Sequence, residues 1–424
     1  MTNVITLWKN LMGFVLEAGV RFHDIRATST YVWAVLGLLL SETVHLNKWA
    51  LYRVGAAQLA SKEKQFSRWL HNERIRPMKI FGPLVRALME QLKDGPIYMA
   101  LDTSQLWNRF VIVRLAVVYR GRALPVGWVV FASKSATVSV ASYQHMLAQV
   151  AAQIPSGCHV VLLADRGFLH VKLMRLVRQL WWHFRRRVKL STKIHRATGK
   201  PRSVKQLLPS PGNVRFFKNV LLSDQRFGPV HLVVAYPRTT DGFKRWVIVS
   251  SEPTSLTTLA EYEKRFSIEE NFLDDKSNGF QLESSQIEDS MGLSRLCLIL
   301  ATATLYLNST GTAVVEMGKR SLVDPHLERG LSYFQIGWRW VKRALAFGEK
   351  LVGFLWFSSG PDPAPSMASQ KQFLAPTRWI SSLELLDDTH LWLEQAQRLV
   401  DDSIHRLGLP VALVLFHYLY FVVF

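Results

Sequence analysis

Two aspartates stand where apolar runs give out. In IYMALDTS (residues 97–104) Asp102 is the first charge after five residues with none, and in HVVLLADRG (159–167) Asp165 ends an apolar run and is followed by Arg166-Gly167. Such runs read as buried strands, and a carboxylate at the mouth of a buried strand is expensive unless it is used. A strand-terminal Asp is also an ordinary turn former or helix cap. A third acid comes from EYEKRFSIEENFLDDKSNGF (261–280). At about 100° per helical residue, Tyr262, Arg265, Glu269 and Lys276 fall within roughly 60° of one another, and Glu270 is turned away by about 100°. A phenol, a guanidinium, a carboxylate and an ammonium on one face can hold a cation and donate to phosphate oxygens. The same spacing also describes a surface helix laced with i,i+4 ion pairs such as Arg265 with Glu269.

The elements that must position these groups follow from periodicity. Helical patterning runs from Thr6 to about Leu92. Within it LNKWALYRVGAAQLASKEKQFSRWLHNERIRP reads as a helix-turn-helix whose second helix, about Lys62 to Leu70, presents Lys64 and Arg68, with Arg74 nearby. Basic residues on a helix face serve equally as a solvated surface. LKDGP (92–96) marks a turn, and β patterning begins. IYMALDTS, FVIVRLAVVYRG and ALPVGWVVF read as strands, the last two joined by a tight turn at Arg120-Gly121-Arg122. A helix (142–154), the Asp165 strand, a second helix and HFRRRVKLS complete the order β-β-β-α-β-α-β. Short β runs alternate with basic turns between about Ser191 and Ser255, a helix follows over Thr257–Asp275, and SSGPDPAPSMASQ (358–370) reads as a linker.

Taken together these place a helical DNA-binding region at 1–95, an α/β core at 96–190 and 256–357, a β-rich insertion at 191–255, and a linker with an apolar extension at 358–424.

Composition agrees with an acidic polymer as partner. Lys and Arg total 52 against 32 Asp and Glu, a net charge of +20, and cations that neutralise phosphates release condensed counterions. Cys158 and Cys297 lie far apart, without the close pairing that zinc or thiol redox sites use, which fits a reducing, cytoplasmic setting. The apolar run LPVALVLFHYLYFVVF (409–424) falls just short of a bilayer span, and no stable membrane association is expected. The basic, aromatic-rich runs around Trp181–Arg187 and Lys189–Arg202 read either as a DNA-tracking surface or as a strand edge kept soluble by charge.

The acidic helix carries a recognisable pattern. Tyr262, Arg265, Glu269 and Lys276 match the Y-x2-R-x3-E-x6-K signature of IS4-type insertion-sequence transposases of the DDE group, with every spacing kept. LDTS at Asp102, ADRG at Asp165 and WVIVSSEP from Trp246 resemble the family's surroundings, so the resemblance covers about residues 40 to 300. It implies an α/β, ribonuclease-H-like mixed sheet with a β-rich insertion and flanking helical regions. By the same resemblance Asp102, Asp165 and Glu269 are the catalytic, metal-binding triad, holding two Mg2+ ions (or Mn2+). Tyr262, Arg265 and Lys276 grip DNA phosphates, and Trp246 stacks on a flipped base. The implied activity is cut-and-paste DNA transposition by a homodimer that joins two inverted-repeat ends to target DNA. A silent DNA-binding derivative, or a nuclease of the same fold that cuts without joining, would carry the same helices and core.

Overall fold

The structure is a computed structural model that describes residues 2–366 apart from 136–137, 169 and 240–241. The linker beyond residue 366 and the apolar run at 409–424 lie outside the described residues.

Five helices come first: α1 (Thr2–Glu17), α2 (Ile25–Ser41), α3 (Leu46–Tyr52), α4 (Leu59–Leu70) and α5 (Pro77–Leu92). Asp24 caps α2 by accepting from the amides of Arg26 and Ala27, satisfying donors that a helix start leaves unpaired. Helix α4 buries Phe66, Trp69 and Leu70, and Trp69 stacks on Tyr31 of α2, with centroids 5.6 Å apart. Lys64 and Arg68 stand on its exposed side.

Strands β1 (Ile97–Leu106), β2 (Phe110–Tyr119) and β3 (Arg122–Ala132) then form an antiparallel meander. The β2–β3 turn has two central residues, Arg120 and Gly121, both at positive φ (44° and 81°), the twist that a two-residue hairpin loop requires. Next come α6 (Val140–Ala151), β4 (Val160–Ala164), α7 (Val171–Gln179) and β5 (His183–Arg187). Strand β4 pairs parallel with both β1 and β5, so the order across this part of the sheet is β3-β2-β1-β4-β5. This mixed sheet, three antiparallel strands followed by two parallel ones reached through helices, has the ribonuclease-H-like order.

After residue 188 the chain forms β6 (Lys193–His195), β7 (Arg202–Ser203), β8 (Val214–Leu222), β9 (Phe227–Ala235), the short pair β10 (Arg238–Thr239) and β11 (Gly242–Phe243), and β12 (Trp246–Ser250). Residues 189–248 and 253–260 belong to a second compact unit, in which β8 pairs with β9, β6 with β8 and β7 with β6, all antiparallel.

Helices α8 (Thr257–Glu263), α9 (Ser267–Asp275), α10 (Ser290–Glu316) and α11 (Tyr333–Phe347) follow. The helix expected over Thr257–Asp275 is broken: residues 264–266 form a 3-10 turn between α8 and α9. Helix α10 is apolar and long enough to cross a membrane, yet 83% of its apolar window is buried within the first unit. It is a core helix. A Cβ on Gly311 would lie 2.0 Å from the Tyr333 carbonyl and one on Gly337 1.9 Å from that of Leu307, so α10 and α11 meet through glycines because nothing larger fits. Residues 358–366, expected as linker, pack instead: Asp362 pairs with Arg329 at 3.0 Å and accepts from the Tyr333 hydroxyl at 2.5 Å.

Candidate active site

Register brings the two aspartates together. Leu101 of β1 lies opposite Ala164 of β4, so Asp102 and Asp165 are the next residues of two adjacent parallel strands. Neighbouring strands are about 4.8 Å apart, which keeps the two backbones within reach of one ligand. The expectation that Asp102 ends its strand needs correcting. β1 continues four residues beyond it, to Leu106, because β2 still pairs there with Val111 and Phe110. Asp102 is instead level with the place where β4 stops and Asp165 turns into a 3-10 segment.

Helix α9 is seated over the same strands. Its Ile268 and Phe272 pack on Ala100 of β1, Ala116 of β2 and Ala123 of β3, small residues that let the helix approach closely. Two electrostatic clasps fix its inner side. Buried Arg114, opposite Asp102 on β2, pairs with Asp275 at 2.6 Å, donates to Asn271 Oδ1 at 2.7 Å and lies over the Phe272 ring at 4.7 Å. Arg122 donates to Glu270 at 2.7 Å and reaches Asp274 at 3.6 Å. These inner contacts had no signal in the sequence, since an acid in DDKSNG reads as surface.

The outer side of the segment faces the aspartates. Arg265 donates from Nη1 to Asp102 Oδ2 (2.9 Å) and from Nη2 to Glu269 Oε1 (2.8 Å), so one guanidinium bridges two carboxylates from different elements. Tyr262 donates to Asp165 Oδ1 at 3.4 Å. Burial raises the Tyr262 phenol to about 12, which keeps it a donor; Asp165 adds to the rise and Arg265 opposes it. Burial also raises Asp102, opposed by Arg265 and the Thr103 amide and reinforced by the negative charges of Glu269 and Asp165. Arg265 is raised although burial lowers it, because Tyr262, Asp102 and Glu269 surround it. Two acids, Asp102 and Glu269, thus meet on a cation supplied by the chain, and Asp165 stands on the adjacent strand under the Tyr262 hydroxyl.

Asp102, Asp165, Tyr262, Arg265 and Glu269 are therefore gathered, and Glu270 is directed away to Arg122. Lys276 departs from the expected common face. The 3-10 turn shifts the helical phase, α9 ends at Asp275, and Lys276 leaves it at φ −85°, ψ −86°. Its ammonium reaches the Gln105 carbonyl at 2.8 Å and Glu283 at 3.1 Å, three residues along β1 from Asp102. Trp246, half-buried, opens β12 in the second unit.

The basic run at β5 is neither a DNA-tracking surface nor an edge. Arg185 and Arg186 are buried, 6% and 0% exposed. Arg185 is neutralised from both sides, by Glu252 at 2.9 Å and Glu261 at 2.8 Å, and Tyr98 also donates to Glu261. Its charges hold the sheet together because returning residues 249–252 run beside β5, with the Ser251 amide on the Phe184 carbonyl at 3.2 Å.

The strand order is that of a ribonuclease-H-like mixed sheet, with Asp102 and Asp165 side by side on its adjacent parallel strands. Residues 105–306 match the family model described as a transposase DDE domain, a stretch that holds Asp165 and the whole 262–276 signature and begins three residues after Asp102. That stretch is similar to the DDE domain of transposases, a family that works through divalent metal ions. Among solved structures the chain is similar to the piggyBac transposase in its synaptic complex with hairpin DNA, at 9% identity and a TM-score of 0.45, over 82% of this chain and 80% of that one. No curated protein matches the sequence.

Proposed function

We propose that the chain is a DDE transposase that moves DNA by cut-and-paste, cleaving at the inverted-repeat ends of its element and joining them to target DNA, with Asp102, Asp165 and Glu269 as its catalytic, metal-holding triad. The observation that carries this reading is the Arg265 bridge: Asp102 and Glu269 converge on one cation while Asp165 lies one strand away under the Tyr262 hydroxyl. The three acids suit a pair of Mg2+ ions, with Mn2+ as a substitute, because all three offer hard carboxylate oxygens. Bound there, divalent ions polarise phosphate oxygens and make water nucleophilic at neutral pH.

The surrounding residues take the substrate's phosphates. Arg265 exchanges a carboxylate oxygen for a phosphate oxygen without losing its charge environment, because its fork suits either. Tyr262 stays protonated and donates. Lys276, on the far end of the same segment, holds the strand as a point charge, and Lys64 and Arg68 on the exposed side of α4 contact the duplex. Trp246 offers an aromatic face for an unstacked base. Two copies hold the two ends, and the enzyme works in the cytoplasm. The 262–276 spacing supports assignment to the IS4 group.

The test is cleavage of DNA carrying the inverted repeats that flank the coding region, with and without Mg2+, followed by strand transfer from a pre-nicked end. Metal-dependent nicking and joining are expected. Binding without nicking would overturn the catalytic reading, and nicking without joining would overturn transposition.

A further inference from the structure

At the other end of β4 lies a second group of ligating side chains. His159 immediately precedes β4, His183 opens β5, and Glu252 closes the returning segment 249–252. One ligand atom from each lies within 4.8 Å of the others. His159 Nε2 is 3.0 Å and His183 Nδ1 3.6 Å from the same carboxylate oxygen, Glu252 Oε1. Asp165 follows the last residue of β4, six positions from His159, or about 20 Å at 3.3 Å per residue. The group is therefore separate from the carboxylates of the candidate active site.

We propose that His159, His183 and Glu252 bind one transition-metal ion of the zinc type. Tetrahedral zinc with ligands at about 2.0–2.1 Å separates its donors by about 3.3 Å, which matches the distances found. Mixed imidazole and carboxylate donors select zinc and its neighbours rather than magnesium. The carboxylate is oriented for the purpose. Glu252 Oε2 is held by Arg185 Nη1 at 2.9 Å, and the Glu252 amide donates to Ser250 Oγ at 2.9 Å, which leaves Oε1 to the histidines. Such fixing of a ligand by a neighbour outside the coordination sphere is a regular feature of metal sites. His159 is 44% exposed at its side chain, so water has access to the fourth position.

The ion would act as a staple. It ties the starts of two parallel strands to the segment at which the chain re-enters the sheet after residues 189–248, closing a loop of 69 positions between His183 and Glu252. Binding only to the folded form raises stability.

The full chain, freed of metal, is titrated with Zn2+ by calorimetry and with Co2+ by visible absorption, and its Tm is followed in both. One tight Zn2+ equivalent, a tetrahedral Co2+ spectrum and a rise in Tm are expected. They persist in Asp102→Asn/Asp165→Asn and are lost in His159→Ala and in Glu252→Gln. His159 is exposed, so its variant keeps the metal-free Tm and separates ligand loss from misfolding. Unchanged Zn2+ binding and Tm rise in both His159→Ala and Glu252→Gln, or no tight Zn2+ equivalent in the wild type, would overturn the proposal; the latter result leaves a histidine–carboxylate ion pair.

Discussion

Two arginines, Arg265 and Arg114, serve the same short helix in opposite ways. Arg265 links Asp102 to Glu269, whose side chains are 21% and 53% exposed. Arg114 and Asp275, on the inner side of α9, are each 1% exposed. Residue types and distances are alike, and burial separates them. A buried pair cannot change partner without leaving a charge stranded in a low dielectric, so it fixes position. Arg265 is itself buried, at 6%, so the contrast lies in its acid partners, whose carboxylates stay in contact with water and lose less when an ion takes the place of the arginine. The helix is held from below by the buried pair, and in the proposed function its upper face exchanges partners.

The strongest way to break that contrast is to remove an upper acid. Asp102→Ala, Asp165→Ala and Glu269→Ala should each cut DNA-end cleavage by roughly 10⁴-fold while the unfolding transition stays near that of the wild type. Glu270→Ala, one residue from Glu269, should cleave almost normally; normal cleavage by any of the first three would remove it from the triad. On the lower side the effect moves from rate to stability. Asp275→Ala strands Arg114 and should cost about 3–5 kcal/mol in urea unfolding. A loss below about 1 kcal/mol would mean that the pair is not the clamp described.

A smaller effect concerns pH. Burial raises Asp274 to about 7, and Arg122, whose shorter bond goes to Glu270, only partly opposes this. Folded chains then keep a proton that unfolded chains release near 3.8. Stability from this group is present below that value and is lost as pH rises through about 7. Asp274→Asn should flatten the decline, by on the order of 4 kcal/mol at about 1.4 kcal/mol per pKa unit. Parallel pH profiles of the two proteins would discard the idea. The smallest effect is expected from Lys276→Ala, which should weaken DNA binding evenly across sequences and reduce the salt slope by about one. A cleavage defect without a change in salt slope would assign Lys276 to another task.

Much of the site was legible along the chain. Apolar runs ending in Asp102 and Asp165, and the fixed spacing of Tyr262, Arg265 and Glu269, are local patterns that periodicity converts into faces and strand ends. Helical arithmetic failed at Lys276 because it assumed an unbroken helix, and the 3-10 turn at 264–266 is imposed by packing. The basic residues of β5 misled for a related reason. The partners of Arg185, Glu252 and Glu261, lie over sixty residues away, and a sequence window cannot see a charge cancelled from such a distance.

By itself the sequence determined which side chains could hold a cation and donate to phosphate, and the order of strands and helices that carries them, because these depend on neighbours a few residues apart. Tertiary structure alone decided that Asp102 and Asp165 stand side by side, that Arg265 reaches Asp102, and that His159, His183 and Glu252 meet. Register between strands and the seating of α9 on three alanines are settled by packing among distant segments, and only folding brings those segments together.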